Sequence, residues 1–295
     1  MSDRRGAGQH RARALAARVR GVAAFATLPL LAACVSEKQE QLLGDQIAAQ
    51  LNSHLPLVRD VPLNLYVNDL GRMLAHKSER PEVPYNFYIV NNESVNAFAL
   101  PGGHVYVNRG LIERTSNVSE LAGVLAHEVG HVAARHGAKT LQRQLRTRSV
   151  SGLMYEVIFD RKPLLDQEAL DIGGQVWSAA HSRRDEQEAD KLAVRYLLAA
   201  GVDPRGMLSL FGGFVKEEAS TPTSSVGQWF ATHPATLQRL EITRDEIRDR
   251  LPANKGRLAT QVPSYDEFLR RLNGLPPPTP EFPVGGRAPL PLGHP

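Results

Sequence analysis

Cysteine is all but absent from this chain of 295 residues: it occurs once, at Cys34. Without a second thiol no disulfide can form within the chain, even in an oxidising compartment. Long apolar runs are missing as well. The stretch Gly21 to Ala33 (GVAAFATLPLLAA) stops at thirteen residues, short of the roughly 20 that cross a bilayer as a helix. No segment repeats with the period of a solenoid or helical array. Positive charge is also scarcer than the formal net of +4 suggests. Residues 1–33 carry six arginines (Arg4, Arg5, Arg11, Arg13, Arg18 and Arg20) and one acid, Asp3. Removing them from 35 basic and 31 acidic side chains leaves 29 against 30, a net of −1. Nothing in the remainder argues for a nucleic-acid partner. The rest is ordinary, 42% hydrophobic and 22% charged, enough for one sizeable core and a small appendage.

The arginine-rich start followed by a short apolar run has the layout of an export signal. The run ends in Leu31-Ala32-Ala33-Cys34, which resembles the bacterial lipobox, where the cysteine becomes the first mature residue and carries lipid. A lone cysteine elsewhere would read as a small buried hydrophobe; at this position the lipid anchor is the expectation. Val35 and Ser36 place no aspartate after the cysteine, which points to the outer membrane of the periplasmic compartment.

Along the chain, residues 37–52 and 61–77 carry apolar positions at helical spacing, among them Leu42, Leu43, Ile47, Leu63, Val67, Leu70 and Leu74. Asn86 to Val90 and Val95 to Leu100 read as short strands. Pro101-Gly102-Gly103 is a turn, from which His104 to Val107 returns as a strand. Asn117, with Glu120 three residues on, starts a helix expected to run to Gly137. Residues 150–178 are mixed and read as a flap. Further helices are expected over 185–200, 204–218 and 235–250. The expected divisions are a signal peptide over 1–33, a tether and helix over 34–59, the main domain over 60–250, a helical extension over 251–274 and a Pro/Gly-rich disordered tail over 275–295. The class is α+β, mostly helical with a small β-sheet.

The chemistry lies in His127-Glu128-Val129-Gly130-His131. Residues four apart share a helix face, with Cβ atoms about 6 Å apart, so two imidazoles can take adjacent corners of a zinc tetrahedron. Glu128 then lies beside them as base for an attacking water. The bland alternative is two half-exposed histidines on an amphipathic helix. Against it, both histidines interrupt the apolar face of Leu121, Val124, Leu125 and Val132, where unpartnered polar groups cost stability. A third histidine six residues after His131 is excluded, because that position is Gly137. His136, five residues on, is off the face and reads as a solvated helix end. A glutamate on a second helix is the alternative, and Glu186-Gln187-Glu188-Ala189-Asp190 provides it. Glu186 completes a His₂Glu set and leaves the fourth position for water. Asp190, one turn on, can accept the spare N–H of a ligand histidine. Glu188 points about 200° away and reads as a solvated charge.

HEVGH, then SRRDEQEAD (Ser182 to Asp190), then AGVDP (Ala200 to Pro204), together with NAFALPGG (Asn96 to Gly103), GLIERT and His233-Pro234 followed by Arg239, resembles metallopeptidase family forty-eight over about residues 60–250. The resemblance implies a zincin-type fold of the minigluzincin kind and a soluble BepA-like or Oma-like branch. It implies one Zn²⁺ per chain on His127, His131 and Glu186. It also implies that Asn96, Ala97, Phe98 and Ala99 form an edge strand to which an extended substrate adds. His233 becomes a cleft residue that either stabilises the oxyanion or fills the open zinc position. Arg239 either shares the oxyanion role or anchors the loop. Unlike BepA-like proteins, the sequence shows no tetratricopeptide repeats after this region, so the docking such repeats provide is not expected from it. The function so implied is a metalloendopeptidase acting on unfolded or misassembled cell-envelope proteins, held at the membrane through Cys34. The rival is a chaperone-like outer-membrane assembly factor with a latent or structural zinc site. A cell-wall hydrolase is weaker, because no peptidoglycan-binding segment is visible.

Overall fold

A computed structural model describes residues 35–147, 181–220, 226–234, 237–251 and 258–278. The leader with Cys34, the segment 150–178 and the tail beyond 278 lie outside the described residues. Ser36 opens helix α1 (Glu37–His54) with a complete capping box, its hydroxyl accepting from Gln39 N while the Gln39 side chain accepts from Ser36 N. Asp60 caps α2 (Val61–Ala75). Three short strands follow: β1 (Asn86–Val90), β2 (Ala97–Ala99) and β3 (His104–Asn108). They pair in the order β1-β3-β2, with β1 parallel to β3 and β2 antiparallel to it. The turn before β3 uses Gly102 and Gly103 at φ of 82° and 96°, a conformation L side chains rarely adopt.

The strands alternate as a two-faced sheet must. Phe87, Ile89, Ala97, Val105 and Val107 face the main core. Val90, Phe98 and Tyr106 face α1, where they meet Ile47 and Ala48. Phe98 stacks on Tyr106 with centroids 4.8 Å apart, and Tyr106 on Tyr88 at 4.7 Å.

After the single-turn α3 (Arg109–Ile112) comes α4 (Val118–Ala133). Asn117 accepts from Glu120 N as expected. The Glu120 carboxylate does not close the box onto Asn117; it accepts from Ser116 N and from the Ser209 hydroxyl. Every residue from Val118 to Val132 is buried, because α4 packs on α2 and β2 as well as on α6 (Arg183–Ala199) and α7 (Arg205–Ser220). A helix covered on all sides needs no polar face. Gly130 lets α6 come close: a Cβ there would lie 3.0 Å from Ala189 O. Helices α8 (Gly227–Thr232), α9 (Leu237–Arg250) and α10 (Pro263–Asn273) complete the described fold. Among the described residues no helix is long and apolar enough to cross a membrane.

The expectation of one helix running to Gly137 is corrected. Helix α4 ends at Ala133, Arg135 takes φ of 59°, and α5 (His136–Thr147) starts afresh. A left-handed conformation is costly for a residue with a Cβ, and Arg135 is held in it by Glu40 of α1. The buried Glu40 carboxylate accepts from Arg135 Nε at 2.7 Å and from Arg80 Nη1 at 3.2 Å. Arg80 Nη1 also donates to Val132 O, near the end of α4.

Candidate metal centre

Four helices bring the polar groups together. Helix α4 carries His127, Glu128 and His131; α6 carries Glu186 and Asp190; the end of α8 carries His233, and α9 carries Arg239. All seven are buried. His127, His131, Glu186 and His233 each offer one ligand atom, and these atoms lie within 4.8 Å of one another. His127 Nε2 is 3.0 Å from His131 Nε2, 3.3 Å from His233 Nδ1 and 3.4 Å from Glu186 Oε2. Glu186 Oε1 is 3.3 Å from His131 Nε2 and 3.2 Å from His233 Nδ1.

The outer nitrogens of the two α4 histidines are separately occupied. His127 Nδ1 lies 3.0 Å from Asp190 Oδ1, and His131 Nδ1 lies 2.9 Å from His136 Nδ1. When both outer nitrogens carry the proton, the inner pair can present their lone pairs to one cation between them. In a tetrahedral site with ligand atoms about 2.0–2.2 Å from the ion, neighbouring donors stand about 3.3–3.6 Å apart. The observed spacings of 3.0 to 3.4 Å lie close to that edge, so this donor set fits a metal ion.

Glu128 stands apart from the donors. Among the described residues neither of its carboxylate oxygens has a hydrogen-bond partner, and His233 Nε2 lies 3.5 Å from Oε1. Burial pushes its carboxyl up from the ordinary range, against the pull of His233 and His127. Burial also raises Glu186 and Asp190, but in both it is outweighed. His233 and Arg239 carry Glu186 well below the usual carboxylate range, and Arg239 brings Asp190 down. Burial alone would lower His127, yet Asp190 and Glu186 push it up to about 9.

Arg239 faces carboxylates. Its Nε and Nη2 donate to Asp190 at 2.5 and 2.8 Å, and Nη1 reaches Glu186 Oε2 at 2.5 Å. Thr243, one turn on in α9, donates to Asp190 Oδ2. Arg239 Nη1 also lies 3.5 Å from Pro234 O, in the loop before α9. His233 stacks on Trp229 at 4.4 Å, and its Nε2 is 3.3 Å from Ala97 O. Asn96 accepts from the Thr232 hydroxyl. Phe98 points to the α1 side of the sheet and away from the donors.

Three residues set aside or overlooked in the sequence belong here. His136 is not a solvated helix end: it is fully buried against His131. Glu188 is half exposed, but its Oε2 lies 3.3 Å from His136 Nε2. His181, which no motif marks, sits with its ring 4.0 Å from that of His131, and burial together with His233 lowers its pKa to about 3.

The sequence is similar to known proteins. A model described as peptidase family M48 matches residues 63–247. A beta-barrel assembly-enhancing protease of Yersinia pestis is 32% identical over 226 residues, covering 75% of this chain and 46% of its own. Metalloprotease LoiP of Escherichia coli strain K12 is 27% identical over 225 residues, covering 75% of this chain and 83% of its own. The mitochondrial metalloendopeptidase OMA1 of Schizosaccharomyces pombe is 28% identical over 190 residues, covering 61% and 51%. The chain spans about half the length of the beta-barrel assembly-enhancing proteases it matches. With the family model covering more than half of the sequence, and its span enclosing the two helices that bear the donors, the chain belongs to peptidase family M48.

Proposed function

We propose that the chain is a zinc-dependent endopeptidase in which His127, His131 and Glu186 hold one Zn²⁺ and Glu128 is the base. The observation that carries this reading is the buried three-histidine, one-carboxylate donor set with an unbonded carboxylate beside it. Nitrogen and carboxylate donors at tetrahedral spacing suit zinc. When bound, the ion supplies a Lewis acid that polarises a carbonyl and acidifies water. Glu128, free of competing hydrogen bonds, takes the proton of the attacking water and returns it to the leaving amine. Asp190 fixes the His127 tautomer, and Arg239 neutralises and orients Asp190 and Glu186.

An extended substrate adds along the β2 edge of the sheet by backbone hydrogen bonds, which gives little sequence selectivity. In the present arrangement Ala97 O lies beside His233, so His233 gives way when the substrate strand enters. His233 Nδ1 among the donors supports the latent role for this residue over the oxyanion role at rest. The relatives' name, beta-barrel assembly-enhancing protease, supports unfolded or misassembled envelope proteins as substrates. With the lipobox-like segment, it also supports a periplasmic location with a lipid anchor at Cys34, at the outer membrane. The four-donor set favours one rival, a chaperone-like assembly factor whose metal is structural, because closed sites are the structural kind.

Casein cleavage separates the two. Wild type and His233→Ala are expected to cleave casein, and Glu128→Gln to lose activity by about 10²–10⁴-fold while keeping its metal. If wild type and His233→Ala both retain zinc and cleave nothing, the peptidase reading gives way to the assembly factor.

A further inference from the structure

We infer that His136 is a positioning residue of the metal centre, passing the charge of Glu188 to His131 so that the metal-facing nitrogen of His131 stays unprotonated. This rests on the reading of His131 as a ligand. The contact at its heart is His136 Nδ1 to His131 Nδ1 at 2.9 Å, with His136 fully buried and His131 nearly so. Between two neutral imidazole nitrogens at that distance one proton is shared, and one ring must donate it. The other nitrogen of His136 decides which. His136 Nε2 lies 3.3 Å from Glu188 Oε2 and 3.7 Å from Asp185 Oδ1, and an ionised carboxylate only accepts. Asp185 is already engaged by Ser182, whose N and Oγ both donate to Oδ2, which leaves Glu188 as the freer acceptor. His136 therefore carries its proton on Nε2 and accepts at Nδ1. His131 donates from Nδ1, and its Nε2 lone pair is directed at His127 Nε2 and Glu186 Oε1, 3.0 and 3.3 Å away.

The backbone is built for this contact. In an unbroken helix the residue five after His131 lies about 140° around the axis and cannot touch it. The left-handed Arg135, held by Glu40, ends α4 and lets the first residue of α5 return beneath His131. The two α4 histidines are thus held by different devices, His127 by a carboxylate directly and His131 by a carboxylate through a second ring.

Paired amide substitutions in the zinc-loaded full chain test the assignment. Asn places its amide near the Nδ1 position and can still accept from His131; Gln places it near Nε2, where it meets Glu188 and misses His131. Zn²⁺ affinity by chelator competition is expected to fall about 10–100-fold in His136→Gln and to stay near wild type in His136→Asn. Both metal-free variants should melt close to the metal-free wild type. In imidazole ¹⁵N spectra the His131 Nδ1 proton should be protected in wild type and His136→Asn and exchange freely in His136→Gln. Equal affinities for the Asn and Gln variants, whether both tight or both weak, would overturn the relay while leaving the metal centre standing. A wild type that binds no Zn²⁺ would sink both.

Discussion

At the residue scale, the site depends on what stands behind its donors as much as on the donors themselves. Asp190 touches His127 on one side and Arg239 and Thr243 on the other, so its carboxylate is fixed before any ion arrives. Asp190→Asn replaces an acceptor by a group that can equally donate. It is expected to weaken Zn²⁺ binding by about 10–100-fold, read by chelator competition, and an unchanged affinity would count against the orienting role. His127, His131, Glu186 and Asp190 were legible in the sequence because each pair is four residues apart on one helix, where spacing fixes the shared face. Arg239 was legible only as a choice between two roles, since its partners come from another helix. His136 was misread because the deciding fact, the left-handed Arg135, is imposed by the distant Glu40 and has no local signal such as glycine. His181 had no signal at all.

At the element scale, helix bounds were readable to within two residues except at the end of α4: the helices expected over 37–52, 61–77, 185–200, 204–218 and 235–250 lie at Glu37–His54, Val61–Ala75, Arg183–Ala199, Arg205–Ser220 and Leu237–Arg250. Ser36, Asp60, Asn117 and Ser182 each cap a helix with a side-chain oxygen, which is a one-residue signal. The full burial of α4 was hidden, since it depends on the elements packed around it. At the start of α7 the buried Asp203 accepts from Arg205 N at 2.9 Å and from its guanidinium. Burial raises the Asp203 carboxyl, but the bonds from Arg205 outweigh it and hold it below 3.8. As pH falls the unfolded chain therefore takes up this proton first, and the stabilisation present above 3.8 is lost below it. The melting-temperature gap between wild type and Asp203→Asn should be open at neutral pH and close as the pH drops through that range. A gap independent of pH would contradict the assignment.

At the scale of the whole molecule, the first described helix is tied to the metal-bearing one. Helix α1 begins at Glu37, and its Glu40 accepts from Arg80 and from Arg135, two residues past the end of α4. Cys34→Ser is expected to move the full chain from the membrane to the soluble fraction, and unchanged fractionation would exclude lipidation at that thiol. The fold class and family were legible from motifs that span most of the chain; the closure of the donor set by His233 was legible only as one of two possibilities, because it depends on where α8 comes to rest.

The central claim is that one buried donor set, drawn from α4, α6 and the end of α8, holds a single metal ion. Elemental analysis of zinc in the dialysed full chain, beside His131→Ala and Glu186→Ala, tests it most directly. One zinc per wild-type chain and none in folded variants is the expected result; zinc-free wild type, or variants that keep the full amount, would contradict the account.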